Sequence, residues 1–189
     1  MNTTNKTRIL VEGAMMVALT TVLSMIQFPG PWINGGSITA FSMVPVCLFA
    51  FKYSTKWGLL AGLATGLLQL LLGMDGLRGI SIATVIGAII LDYMLAYGVL
   101  GFAGVFKKLI PNTTIAFTLG SFFAVVLRFL CHFVSGFVLW YDLMAEGFGA
   151  VTLSFSYNIG YMGPEIIITT LGAALVAVPL LKKYQNAGK

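Results

Sequence analysis

Asp92, Arg128, His132 and Glu165 interrupt stretches that are otherwise apolar enough to lie in lipid, and Glu12 sits near the start of another. On insertion scales an Asp or Arg at the centre of a membrane helix costs about 2.5–3.5 kcal/mol, so such residues face a protein interior, find a partner and mark functional sites by default. Around them the sequence adds an amide at Asn158, phenols at Tyr93 and Tyr161, and an indole at Trp140. A buried carboxylate neutralises positive charge and accepts amino protons. An amide offers a paired donor and acceptor, and indole or phenol faces hold a cation through their quadrupoles. A small, flat, cationic heteroaromatic ligand suits that set. The structural alternative is an internal ion pair that serves only to hold helices together, and Arg128, four residues deeper than His132, reads as such an internal counter-ion, paired with Asp92 or with Glu165.

The elements that must position these groups follow from composition. The chain has 189 residues, 58% hydrophobic and 9% charged, with a mean hydropathy of +0.94, whereas soluble domains carry about 25% charged residues. Apolar runs of bilayer-crossing length, about 20 residues, recur with short polar breaks. They predict an all-α integral membrane protein, one domain over 1–189, with six spans near 8–27, 38–51, 57–73, 81–105, 114–140 and 155–181. Lys6 and Arg8 precede the first run as they would in a signal peptide, but Glu12 interrupts it and no clean cleavage site follows, so it is read as the first membrane helix. The break "QFPGPWINGGS" is a loop on its Pro and Gly content.

Six spans put Lys6, Arg8, Lys52, Lys56, Lys107, Lys108, Lys182, Lys183 and Lys189 on one side and leave Arg78 alone opposite. The bias of cytoplasmic loops toward Lys and Arg then predicts both termini in the cytoplasm of a multi-pass protein of the cell membrane. It also accounts for the net charge of +5 without a nucleic-acid partner. The other side collects Asp75, Asp142 and Glu146. Cys47 and Cys131 fall in apolar runs, where a thiol acts as a small hydrophobe.

With the fifth span running outward, His132 falls in its outer half and Trp140 at its outer end. Gly136, four residues from each, leaves a gap on the same stripe that a flat ring could enter. Asn158, Tyr161 and Glu165 share a face of the sixth span, with Pro164 bending the helix nearby. Trp32, Trp57, Tyr141 and Tyr184 lie at span ends and read as interfacial belt residues.

The stretches "GGSITAFSMVP", "ILDYMLAYGVLG", "VLRFLCHFVSGFVLW" and "SFSYNIGYMGP", in that order through nearly the whole chain, resemble the thiamine-specific substrate-binding subunits of energy-coupling factor transporters. The resemblance implies a six-helix membrane subunit with a vitamin site open to the outside. Its partners would be a transmembrane coupling subunit and two ATP-binding subunits, with no cofactor of its own. It carries the acidic ligand to thiamine onto Asp92, followed by Tyr93, the histidine onto His132, the stacking tryptophan onto Trp140 and the asparagine onto Asn158. The family acid is often Glu, so Asp92 is one methylene shorter, and a family tyrosine is replaced by Leu153, for which Tyr157 or Tyr161 would substitute. Gly35, Gly36 and Ser37 would form part of an outer lid, glycine permitting tight turns over a ligand. Ala14 and Ala18 of "EGAMMVALT", a small-xxx-small pair, would dock the coupling partner.

Other classes are poorly served. "GLATGLLQ" lacks the lysine of a phosphate-binding loop, and one His with two separated Cys makes no recognisable metal site. "GMDGLRG" with Asp92 only partly resembles the signature of lipid-modifying transferases, because the further metal-binding aspartates are missing. No repeat relates the two halves, as an inverted-repeat carrier would show. The remaining competitors are the same architecture binding another vitamin or a thiamine precursor and, far behind, a small intramembrane enzyme.

Overall fold

The structure, a computed structural model, describes residues 3–28, 30, 31, 35–140, 149–177 and 179. Trp32, Tyr141, Asp142, Glu146, Lys182, Lys183, Tyr184, Lys189 and the end of the sixth expected span lie outside the described residues.

Helix α1 covers Thr3–Ser24, α3 Thr55–Gly73, α6 Thr113–Leu139 and α7 Ala150–Val176. The fourth span changes helical type along its length: α4 (Ile82–Ala88), a π-helical segment (Ile89–Leu95), α5 (Ala96–Gly98) and a 3₁₀ stretch (Val99–Lys108). Among the described residues, five helices are long and apolar enough to cross a membrane, and the fourth span, Ile82–Lys108, is one of them. Side-chain caps open two of these helices: Asn112 accepts from the Ile115 N–H, and Ser81 from the Thr84 N–H. Helix α7 continues through Pro164.

The segment expected as a second span, 38–51, is built differently. A two-strand antiparallel ladder pairs β1 (Gln27–Phe28) with β2 (Ile38–Thr39), and a nine-residue helix α2 (Val44–Lys52) follows. Nine residues rise about 14 Å, less than half of the ~30 Å hydrocarbon thickness. Helix α2 is apolar because it lies inside the bundle: every residue from Val44 to Phe51 is buried. Met43, Cys47 and Phe51 pack with Leu100, Phe117 and Met162 in the central core. Composition reports burial, and here protein rather than lipid does the burying.

Glycines bring α3 against the fourth span. A Cβ at Gly66 would lie 2.6 Å from the Tyr93 carbonyl oxygen, and side chains at Gly58 and Gly62 would collide with Ala50 and with the Tyr97 backbone. The Gly58-xxx-Gly62-xxx-Gly66 pattern is the small-residue seam that allows helix backbones in membranes to touch. At one end of the bundle Lys52 and Tyr53 both bond Glu12, and Lys107 Nζ donates to the Lys52 carbonyl at 3.0 Å. Glu12, expected to need a partner, thus finds one, and two of the lysines assigned to one side meet there.

Candidate functional site

The π-helical segment carries Asp92, and inserted π turns inside α-helices occur often at functional sites. Asp92 faces α6, where three polar groups meet it. His132 Nδ1 lies 2.9 Å from Oδ1, while the Ser135 hydroxyl donates to Oδ2 at 2.6 Å and the Trp140 indole N–H at 3.1 Å. Trp140 Nε1 also lies 3.2 Å from Ser135 Oγ. His132 and Ser135 share one face of α6 at i, i+3, and Trp140 terminates that helix with its backbone N–H on the Gly136 carbonyl. The Asp92 and His132 side chains are only 17% and 12% exposed, so this cluster of charge and hydrogen bonds sits inside an apolar bundle.

Helix α7 supplies the opposing wall. The Tyr161 ring meets His132 edge-on at 6.1 Å and Tyr157 at 6.2 Å. The Tyr161 hydroxyl donates to Asn158 Oδ1 at 2.6 Å, and Asn158 Nδ2 donates to the Ser154 carbonyl at 2.9 Å. Asn158, Tyr161 and Glu165 are all buried on the shared face that their spacing predicts. Over this wall runs the segment that follows the first loop. Tyr157 donates to the Gly35 carbonyl at 2.7 Å, and Gly36, at φ +94°, lies so close that a Cβ would sit 2.7 Å from the Tyr161 ring. Only glycine tolerates both the left-handed φ and that contact. Ser37 follows, half-buried.

Two expectations change. The notch at Gly136 does not await a flat ring: α7 fills it, and a Cβ there would collide with Ser154 Oγ and lie 3.0 Å from Asn158 Nδ2. Arg128 pairs with neither carboxylate. Among the described residues the ion pairs are Lys52–Glu12, Arg78–Asp75 and His132–Asp92. The Arg128 guanidinium instead lies 3.8 Å from the Tyr97 ring centroid, a cation–π contact. Asp92 is already held by His132, Ser135 and Trp140, which leaves the arginine to the aromatic face.

Glu165 has a structural task as well. Its Oε1 accepts the Thr39 backbone N–H at 2.5 Å and the Thr39 hydroxyl at 2.6 Å. Non-helical backbone at membrane depth must be satisfied by protein, and this carboxylate does so where the β2–α2 connection is buried. Tyr93, finally, is not in the Asp92 cluster: its hydroxyl lies against Gly73, where a Cβ would come within 2.5 Å.

Ser135 was not singled out from the sequence, although its position three residues after His132 in "HFVSGF" was a usable signal. Ala14 and Ala18 are both exposed on the outer surface of α1, beside Leu10, Met15 and Leu19.

The chain is similar to known proteins. The family described as "Thiamine transporter protein" matches residues 10–186. The curated protein "Thiamine transporter ThiT" of Bacillus subtilis (strain 168) is 29% identical over 192 residues, covering 94% of this chain and 95% of its own. Among solved structures, ThiT from Listeria monocytogenes superposes with a TM-score of 0.75 at 24% identity, covering 94% of this chain and 97% of that one. The S component of a bacterial ECF transporter gives 0.61 at 21%, covering 97% and 99%. At these identities the two structures establish a common fold.

Proposed function

The chain belongs to the thiamine transporter protein family, and from that premise we propose that it binds thiamine at the outer face of the cell membrane as the substrate-specific subunit of an ECF-type vitamin transporter. In this reading the lysine-rich end and both termini are cytoplasmic, and ATP hydrolysis belongs to two partner subunits acting through a transmembrane coupling subunit. This chain is then a binding component and no enzyme.

The observation that carries the reading is the Asp92 carboxylate tied to His132 and Trp140 inside an apolar bundle. Thiamine joins a cationic thiazolium to an aminopyrimidine. A buried negative charge offsets the first, the flat faces of Trp140, Tyr161 and Tyr157 stack on either ring, and the imidazole and the Asn158 amide meet the pyrimidine edge. Tyr93 stays in the proposed set at its margin, and Gly36 with Ser37 would cover the ligand.

Thiamine should quench the tryptophan emission of the purified protein and give a single calorimetric binding isotherm without being consumed. Riboflavin and biotin should do neither. Trp140→Ala should weaken thiamine binding by about 2 kcal/mol, the upper range for a desolvated cation–π contact, or roughly 30-fold in Kd, while the protein elutes as a monodisperse peak. Aggregation of that variant, with other ligand-facing variants unaffected, would mark Trp140 as a belt residue instead.

Docking is proposed through the exposed α1 surface. Ala18→Trp should abolish thiamine uptake by cells carrying the complete transporter and leave thiamine titration of the isolated subunit unchanged, as should Ala14→Trp. Loss of binding in the isolated subunit would instead mean that these alanines pack within the chain.

A further inference from the structure

The two ends of α3 treat their cations differently. Just past the end where the helix stops, Arg78 pairs with Asp75 at 2.9 Å. At the end where it starts, Glu12 is the one acid among the described residues, and Lys52 and Tyr53 both bond it. Lys56, Lys107 and Lys108 are exposed at that end, and none of the three has an ion-pair partner among the described residues.

The fold gathers these lysines. Helix α3 and the 3₁₀ stretch Val99–Lys108 run antiparallel, with backbones so close that a Cβ at Gly101 would collide with the Leu59 nitrogen. Lys107 then reaches the Lys52 carbonyl at 3.0 Å, so the last turn of one element stands beside the first turn of the other. Trp57, partly buried against the cluster of Ile9 and Phe49, lies in the same turn as Lys56. An indole at a span end marks the membrane–water interface, which sets the depth of the lysines.

Below Lys56 the surface turns apolar. Leu60, Leu63 and Leu67 are exposed and follow it at i+4, i+7 and i+11, along one face of α3. From Lys56 to Leu67 the helix rises about 16 Å, close to half of the ~30 Å hydrocarbon thickness. Cations at interface depth therefore stand at the head of an apolar track one leaflet deep.

We propose that this face binds an anionic phospholipid, with its headgroup phosphate on Lys56, Lys107 and Lys108 and an acyl chain along Leu60, Leu63 and Leu67. Lys and Arg beside a bilayer attract its anionic lipids, and with Glu12 taken no carboxylate among the described residues is left here for the ammonium of a zwitterionic headgroup. An acidic protein segment would meet the lysines and leave the leucines uncovered, whereas a phospholipid meets both. The inference stands apart from the thiamine reading, since lipid retention is measured without the vitamin.

Native mass spectrometry of the whole chain, equilibrated in mixed micelles of phosphatidylglycerol and phosphatidylcholine in equal amounts with the same acyl chains, counts the lipid that stays bound. The wild type should retain phosphatidylglycerol in excess. Lys56→Gln and Lys108→Gln should each lower that excess about fivefold, the weight of one lysine at an anionic surface, while Lys56→Arg and Lys108→Arg keep it. Arg78→Gln, at the other end of α3, should leave it unchanged. Inorganic phosphate should displace no more lipid than sodium chloride of equal ionic strength, because it lacks the chain. Equal retention of the two lipids by the wild type, or an excess that survives both glutamine substitutions together, overturns the proposal. Specific displacement by phosphate would make the lysines a plain anion site and also overturns it. Glutamine variants that keep the lipid excess but no longer assemble with the coupling subunits would assign the lysines to an acidic protein surface instead.

Discussion

Asp92→Asn is expected to weaken thiamine binding by about 3 kcal/mol, the upper end for a hydrogen bond to a charged group, or roughly a hundredfold in Kd, with little change in thermal stability. The substitution keeps shape and removes the charge that offsets the thiazolium. It also cannot satisfy every neighbour as the carboxylate does. The carboxylate is met by His132, Ser135 and Trp140, and an amide offers them one acceptor oxygen where the carboxylate offers two. Isothermal titration of both proteins in the same detergent measures the difference. Equal affinities would exclude residue 92 from the site, and with it the reading of this bundle as a trap for a cationic vitamin. Ser135→Ala should fall between the two, since it removes one brace and leaves the charge.

The second large effect is on folding. Glu165→Ala should lower the thermal unfolding midpoint of the detergent-solubilised protein by about 10 °C. Removing the carboxylate orphans the Thr39 N–H and hydroxyl, and each buried unsatisfied group costs about 1–3 kcal/mol. A loss of about 3 kcal/mol corresponds to a shift of that size in a chain of this length. Thr39 is 6% exposed and Glu165 2%, so water offers no substitute. Glu165→Gln keeps an oxygen where Oε1 now stands and should melt close to the wild type. A Gln variant as unstable as Ala would mean that the charge, rather than the acceptor, is what the β2–α2 connection requires. Because Thr39 lies three residues beyond Gly36, which rests on Tyr161, the Ala variant should also bind thiamine more weakly at temperatures well below its midpoint.

Much of the candidate site was legible in the chain. Ionisable residues in apolar surroundings stand out one by one, and Asp92 and His132 proved to be partners. Asn158 and Tyr161 fell on one buried face because helical spacing alone puts them there. The order of the sequence stretches pointed to the family that residues 10–186 match. The errors have a common origin. Gly136 read as a notch for a ligand because its own helix gives no sign that Ser154 and Asn158 occupy the space. Arg128 read as a counter-ion because attraction between opposite charges is easy to write down, while the donors already holding Asp92 are visible only across helices.

The sequence by itself determined that this is a helical membrane protein, where most of its spans fall, and which few polar groups must be turned inward. Those are sums of transfer free energies along the chain, and each residue contributes to them whoever its neighbours are. Only the tertiary structure decided that 38–51 is a short strand and a buried half-length helix rather than a span, that Glu165 caps broken backbone, and that Ser135 joins Asp92 to Trp140. Each of these depends on which atom stands within about 3 Å of which, and hydrogen bonds lose their strength over fractions of an ångström. Hydropathy has no such resolution, so the choice of partner waited for the helices to pack.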